Sequence, residues 1–250
     1  DLIYLPVHSM NLLSAYIGMD EIKLDSIRKS KWNQKKQKTF EKAYDFAAEL
    51  IESEAKRSNY KRSPLEINKE GFQKFIENFP YELTPDQVKC SHSLINDFNS
   101  PKMMDRLICG EVGFGKTEMA LRASYISYMN GFQVCLMVPT TILAEQHYET
   151  FTKRFSGYDV DVVLLTRNLS TQEKKEVYLK ISNQPNLIVI GTHALMNNKL
   201  VFNNVGLLII DEEHKFGVRQ KEKIKSLKAQ IDVMYLSATP IPRTLNLALT

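Results

Sequence analysis

From Arg106 onward the chain alternates between two patterns. Short, nearly continuous apolar runs are RLICG (106–110), QVCLMVP (133–139), VDVVLLT (160–166), NLIVIG (186–191), GLLIIDEE (206–213) and DVMYLSAT (232–239). Longer stretches with apolar residues at helical spacing separate them. Apolar strands alternating with helices predict a parallel sheet buried on both faces. The predicted fold class is α/β, with a mainly parallel sheet and helices on both faces. Ligands of such sheets sit beyond the strand C-terminal ends, so the residues that close each run are the first place to look for chemistry.

Ahead of the alternating region the pattern changes twice. Residues 25–62 contain neither Gly nor Pro. Phe40, Ala43, Ala47 and Leu50 recur at three-four spacing, with Tyr44 and Ile51 widening the stripe, which predicts a long amphipathic helix. Its first half is basic (Arg28, Lys29, Lys31, Lys35, Lys36, Lys38), a feature read either as a solvated face or as a linker helix that docks on another part of the parent protein or touches DNA. Ser63-Pro64 ends it. Residues 66–79 form a second amphipathic segment with Phe72, Phe75, Ile76 and Phe79 on one side. Thr84-Pro85 then reads as an N-cap followed by proline at the first helical position. The expected organisation is a tail of a small β domain over 1–24, a linker helix over 25–64, and a lobe over 65–250 whose residues 65–98 are a helical lead-in.

Composition changes this picture little. With 43% hydrophobic and 25% charged residues, the chain suits a soluble globular protein. We expect no membrane partner, because no apolar run approaches a spanning length, and no secretory signal, because the first residues lack a basic segment followed by an apolar core. Cys90, Cys109 and Cys135 are odd in number and lack metal spacing. Two of them fall in apolar runs and are expected to be buried. Reduced thiols and a cytoplasmic location are the expectation. A net charge of +4 permits nucleic-acid binding without arguing for it. The chain starts without Met and stops within a helical pattern, so a longer parent protein is expected.

The run GEVGFGKT carries the sharpest chemistry. Gly110, Glu111, Val112, Gly113, Phe114, Gly115, Lys116 and Thr117 have P-loop spacing between an apolar strand and a helix. Glycines let the backbone turn its N–H groups toward phosphate oxygens. Lys116 can reach the β- and γ-phosphates of ATP, and Thr117 can offer its hydroxyl to Mg²⁺. About a hundred residues on, LLIIDEEH sets two carboxylates past a buried strand. Asp211 suits Mg²⁺, partly through water, and Glu212 suits the general base for water. Ser237 and Thr239, in LSATPIPRT, follow the last strand and could sense the γ-phosphate. Thr140 and Thr141 in VPTTILAEQH, with Thr192 and His193 in IGTHAL, end two other strands. They are either ordinary N-caps or contacts to a DNA backbone. Gln87 in TPDQ could read the adenine edge.

In this order GEVGFGKT, VPTTILAEQH, GTHAL, DEEH and SATPIPRT resemble motifs I, Ia, Ib, II and III of superfamily-two DNA translocases, and TPDQ resembles their Q motif. Within that superfamily the chain resembles the bacterial transcription-repair coupling factors, with RecG-type branched-DNA helicases as the alternative. Phe114, the DEEH tetrad, and YLPVH leading through a long helix to FPYELTPDQ favour the former. Glu111 and Ser237 replace an aspartate and a threonine usual in the family, and keep their chemical type. Motifs IV to VI, of a second RecA-like lobe, do not occur in these residues. The resemblance implies a first RecA-like lobe that hydrolyses Mg·ATP, with catalytic roles for Lys116, Asp211 and Glu212. It implies coupling roles for His214, Ser237 and Thr239, and an RNA-polymerase-interacting domain before the motor. The implied partners are double-stranded DNA, RNA polymerase and excision-repair proteins. These residues alone are expected to be nearly inactive, with a bare nucleotide- and DNA-binding module as the alternative reading.

Overall fold

The computed structural model describes residues 59–197, 200–216 and 230–238, together with Gln37, Glu41, Tyr44, Ala48, Ala55 and Arg57. Contacts divide the chain into two compact units, 1–50 and 51–250. The expected β tail and the linker stripe of Phe40, Ala43, Ala47, Leu50 and Ile51 lie outside the described residues. The described positions between 37 and 59 are helical. Tyr44, counted with the apolar stripe, is instead 80% exposed.

The second unit is built on six strands. These are β1 (Asp105–Cys109), β2 (Gln133–Met137), β3 (Val162–Leu165), β4 (Ile188–Gly191), β5 (Val205–Asp211) and β6 (Asp232–Ser237). Every pairing is parallel and the order is β1-β6-β5-β2-β4-β3. Among the described residues five α-helices accompany them: α1 (Lys69–Glu77), α2 (Pro85–Phe98), α3 (Lys116–Met129), α4 (Thr141–Arg154) and α5 (Thr171–Asn183).

Strand periodicity splits the core into two layers. Val134, Leu136, Ile188 and Ile190 join one cluster with Phe75, Phe98, Met119 and Phe151 from α1 to α4. Cys135, Met137, Leu187 and Val189 join the other with Ile181 of α5 and Phe216. Helices thus cover both faces, and β2, β4 and β6 are buried along their whole length. Buried in this layer, the Cys135 thiol is pushed up to about 12. Cys109 departs from expectation. It ends the edge strand β1 and is exposed, because no strand among the described residues covers that side.

The lead-in is held by caps. Asn68 caps α1 by accepting the Gly71 N–H, and Thr84 and Gln87 form a reciprocal capping box at α2, with Pro85 in its first turn. Phe72 and Phe75 pack on α3 through Tyr125, the closer ring pair stacking at 4.5 Å.

Two arginines close the N-terminal ends of the strands. Arg57 donates to the carbonyls of Met104 and Ile231, and Arg62 meets Asp232 at 3.1 Å. Asp232 also accepts the Met104 N–H at 2.6 Å. The segment just before residue 65 is therefore bonded to the bottom of the sheet.

Candidate nucleotide site

The opposite end of the sheet gathers most of the residues singled out above. The loop between β1 and α3 turns through Gly113 at φ 85° and Gly115 at φ 76°, a left-handed conformation that favours glycine. At Gly115 space adds a second constraint, since a Cβ there would lie 2.6 Å from Gln87 Nε2. Gly115 is also the N-cap of α3, so the unpaired N–H groups of that helix open on the loop. Lys116 Nζ donates to the carbonyls of Gly110 and Glu111, at 2.6 and 2.9 Å. Val112 and Phe114 project outward, 90% and 43% exposed.

Asp211 is the last residue of β5, and Glu212 follows at φ 53°, ψ 52°. A non-glycine residue in this region stores strain and persists only where its surroundings hold it. Here the Glu212 N–H donates to Leu236 O at 2.9 Å, and the Ala238 N–H donates to Glu212 Oε1 at 3.3 Å. The acidic pair is thereby pinned to the end of β6. On its other side β6 holds the loop, because the Gly110 N–H donates to Ser237 O at 3.2 Å. Backbone bonds thus join the ends of three strands, β1, β6 and β5.

These ends enclose a cavity of about 540 Å³. Gly113, Lys116 and Thr117 line it from the loop, Asp211 and Glu212 from β5, and Gln146, His147 and Thr150 from α4. The hydroxyl of Thr117 and the carboxylate of Asp211 are hard oxygen donors of the kind Mg²⁺ takes. Two such ligands leave room for water and phosphate oxygens. A lysine, free helix N–H groups and two carboxylates around one cavity can bind a polyphosphate and activate a water beside it.

Gln87 lies on the loop rather than apart from it. Its Oε1 accepts the Thr84 N–H at 2.9 Å, and its Nε2 donates to Phe114 O at 2.8 Å. Each end of the amide keeps one further hydrogen-bonding capacity.

The residues expected at a DNA backbone divide. Thr140 is exposed and caps α4, its Oγ1 accepting the Leu143 N–H, and Thr141 begins that helix half-buried. His193 is exposed. Thr192 is not available at the surface. It is 2% exposed, and its Oγ1 has no hydrogen-bond partner among the described residues. The cause is local, since its N–H continues the sheet ladder to Leu165 O and draws the residue inward. Thr239 and the side chain of His214 lie outside the described residues.

Two contacts were not foreseen. His147 Nε2 lies 3.0 Å from Asp211 Oδ2, although only the threonines of VPTTILAEQH were read for function. The available signal was its place on a helix that starts at a strand C-terminus. Glu118, just past Thr117, pairs with Arg122 at 2.9 Å and with Arg154 of α4 at 3.3 Å, all three largely buried.

Comparison with known proteins agrees with this geometry. The family model described as DEAD/DEAH box helicase matches residues 84–248. Proteins named transcription-repair-coupling factor are similar along almost the whole chain. The one from Haemophilus influenzae is 47% identical over 99% of this chain, and that from Escherichia coli is 42% identical over 99%. The one from Bacillus subtilis is 43% identical over 100%. The chain spans only 22%, 22% and 21% of their lengths. A solved structure of RecG bound to a three-way DNA junction matches with TM-score 0.67 and 38% identity, covering 78% of this chain and 26% of that one. The match to the family model begins at the cap of α2 and runs through every strand that frames the cavity, and the chain belongs to the DEAD/DEAH box helicase family.

Proposed function

We propose that these residues include the ATP-binding lobe of a double-stranded DNA translocase that displaces stalled RNA polymerase and couples transcription to nucleotide excision repair. The observation that carries the motor reading is the single cavity shared by Lys116, Thr117, Asp211 and Glu212. The coupling reading is supported by similarity to transcription-repair-coupling factors over residues ahead of the motor as well as within it. A RecG-type branched-DNA helicase is the second reading, favoured by the RecG structure at 38% identity.

In this reading the loop and the α3 N-terminus hold the phosphates, and Lys116 leaves the loop carbonyls for them. Thr117 and Asp211 hold Mg²⁺, which when bound neutralises charge on the β- and γ-phosphates. Glu212 takes the proton of the attacking water. Gln87 meets adenine, Ser237, Thr239 and His214 report the nucleotide state, and Thr140, Thr141 and His193 grip the DNA backbone. The boundaries proposed are 1–24, 25–64 and 65–250, with residues 25–64 a mechanical linker. Its far end is bonded to the lobe through Arg57 and Arg62.

The test is displacement of RNA polymerase stalled on duplex DNA by the full-length protein, with ATP. ATP-dependent release is expected, and release lost in Lys116→Ala along with nucleotide affinity. Efficient unwinding of branched DNA without polymerase release would favour the second reading. Residues 1–250 alone are expected to show negligible DNA-stimulated phosphate release. An arginine supplied across such a cleft contributes roughly three to five orders of magnitude in rate, and the family motifs that carry it belong to the second lobe. Robust turnover by residues 1–250 would refute that expectation.

A further inference from the structure

Helix α4 reaches the nucleotide site with two polar side chains. His147 Nε2 lies 3.0 Å from Asp211 Oδ2, with the two residues only 8% and 9% exposed. Two turns further on, Arg154 lies 3.3 Å from Glu118 on α3, the helix that begins at the P-loop. The Arg154 guanidinium also sits over the Phe75 ring, 4.3 Å from its centroid. Both contacts point from α4 toward elements that carry the cavity, and the same helix begins at the exposed Thr140.

The chemistry of the first contact is directional. An ionised carboxylate only accepts, so Nε2 carries the hydrogen and donates. The imidazole is itself restrained, edge-on to Phe151 with ring centroids 6.4 Å apart. A restrained donor on one oxygen removes the freedom of the carboxylate to turn about its Cβ–Cγ bond. Outer partners of this kind orient metal-binding side chains and govern their affinity.

We propose that His147 is a positioning residue for Mg²⁺. It holds the Asp211 carboxylate in the orientation that the ion requires, and fastens it to α4, so that a displacement of α4 reaches the metal side of the cavity. The inference rests on the reading of this cavity as an Mg·ATP site.

The test uses the full-length protein with His147→Leu, which removes the donor, and His147→Gln, whose amide nitrogen can reach the position of Nε2. The probe is a fluorescent ADP analogue, bound first in chelator and then across an Mg²⁺ titration. Mn²⁺ binding to the same complex is followed by electron paramagnetic resonance. The Mg²⁺ concentration at half-maximal binding should rise about tenfold in His147→Leu and stay within about twofold of wild type in His147→Gln. Metal-free binding of the analogue should be equal in all three. An unchanged Mg²⁺ midpoint in His147→Leu overturns the proposal, as does a rise in His147→Gln as large as in His147→Leu. Loss of metal-free binding in both variants assigns His147 to packing and overturns it too. Failure of the wild type to bind the analogue at any Mg²⁺ concentration overturns the nucleotide-site reading itself.

Discussion

Asp211 and Asp232 lie on neighbouring strands at opposite ends of the sheet. In the register of β5 and β6, Asp232 stands beside Leu207 and Asp211 beside Leu236. Asp232 is enclosed: 2% exposed, 3.1 Å from Arg62, and accepting the Met104 N–H. Burial outweighs the arginine and pushes its carboxyl up to about 6. Asp211 shares its end with a strained Glu212 and lines an open cavity together with Lys116 and Thr117. The same residue type is closed in by protein groups at one end and lines a cavity at the other, where we propose that it serves chemistry. What separates them is whether protein groups surround the carboxylate or leave space for a ligand beside it.

Four measurements would sharpen or break this contrast. The largest effect belongs to the open end. Glu212→Gln should lower DNA-stimulated phosphate release by the full-length protein at least about a hundredfold while sparing nucleotide affinity. A residual rate within a few-fold of wild type would remove Glu212 from the chemistry.

At the closed end, Arg62→Ala leaves Asp232 buried without its cation. The expected cost is about 3 kcal/mol of stability, read from denaturant midpoints, with ADP affinity unaltered. A change in affinity with little change in stability would reverse the roles assigned to the two ends.

The third concerns pH. The folded-state pKa of Asp232, about 6, stands above its ordinary 3.8, so the folded protein takes up the proton first. The resulting stabilisation is complete below the ordinary value and is lost as pH rises through about 6. Relative to Asp232→Asn, the wild type should gain about 1.4 kcal/mol as pH falls from 8 to 5. Parallel stability curves for the two proteins would show that Asp232 does not titrate in this range.

The smallest effect concerns the capping box that carries Gln87. Thr84→Ala should cost about 1 kcal/mol of stability while leaving ADP affinity unaltered, because the Gln87 amide is bonded to the Thr84 backbone N–H and to Phe114 O rather than to the lost hydroxyl. Calorimetric melting would measure the first, and ADP titration the second.

Most of the sheet was legible in the sequence because strands buried on both faces are written as continuous apolar runs. The run ends overshot at Pro139 and Glu213, just past the last ladder bonds, which the Val138 N–H makes to Gly191 O and the Glu212 N–H makes to Leu236 O, since an apolar or acidic residue past a strand looks like part of it. Cys109 misled because strand order, not local composition, makes β1 an edge. In the site, the placement of the loop Gly110 to Thr117 and of Asp211-Glu212 around one cavity was legible, because each is a short contiguous motif at a strand C-terminal end. The pairs His147–Asp211, Arg62–Asp232 and Glu118–Arg154 were not. Each is a choice between distant segments made by the order β1-β6-β5-β2-β4-β3. The burial of Thr192 was hidden for the same reason, since it depends on a bond to Leu165 of a neighbouring strand.

The position of β1 also has a consequence during synthesis. Among the described residues its one strand neighbour is β6, with Asp105 beside Val233 and Cys109 beside Ser237. The ribosome makes β1 first of the six and β6 last, and pairing between such distant segments is slow because a long loop must close first. The nascent P-loop therefore lacks the backbone bond from Gly110 to Ser237 until nearly all of the described lobe has emerged. On the reading of this cavity as a nucleotide site, bound nucleotide is expected to stabilise the fold chiefly once the final strand has docked.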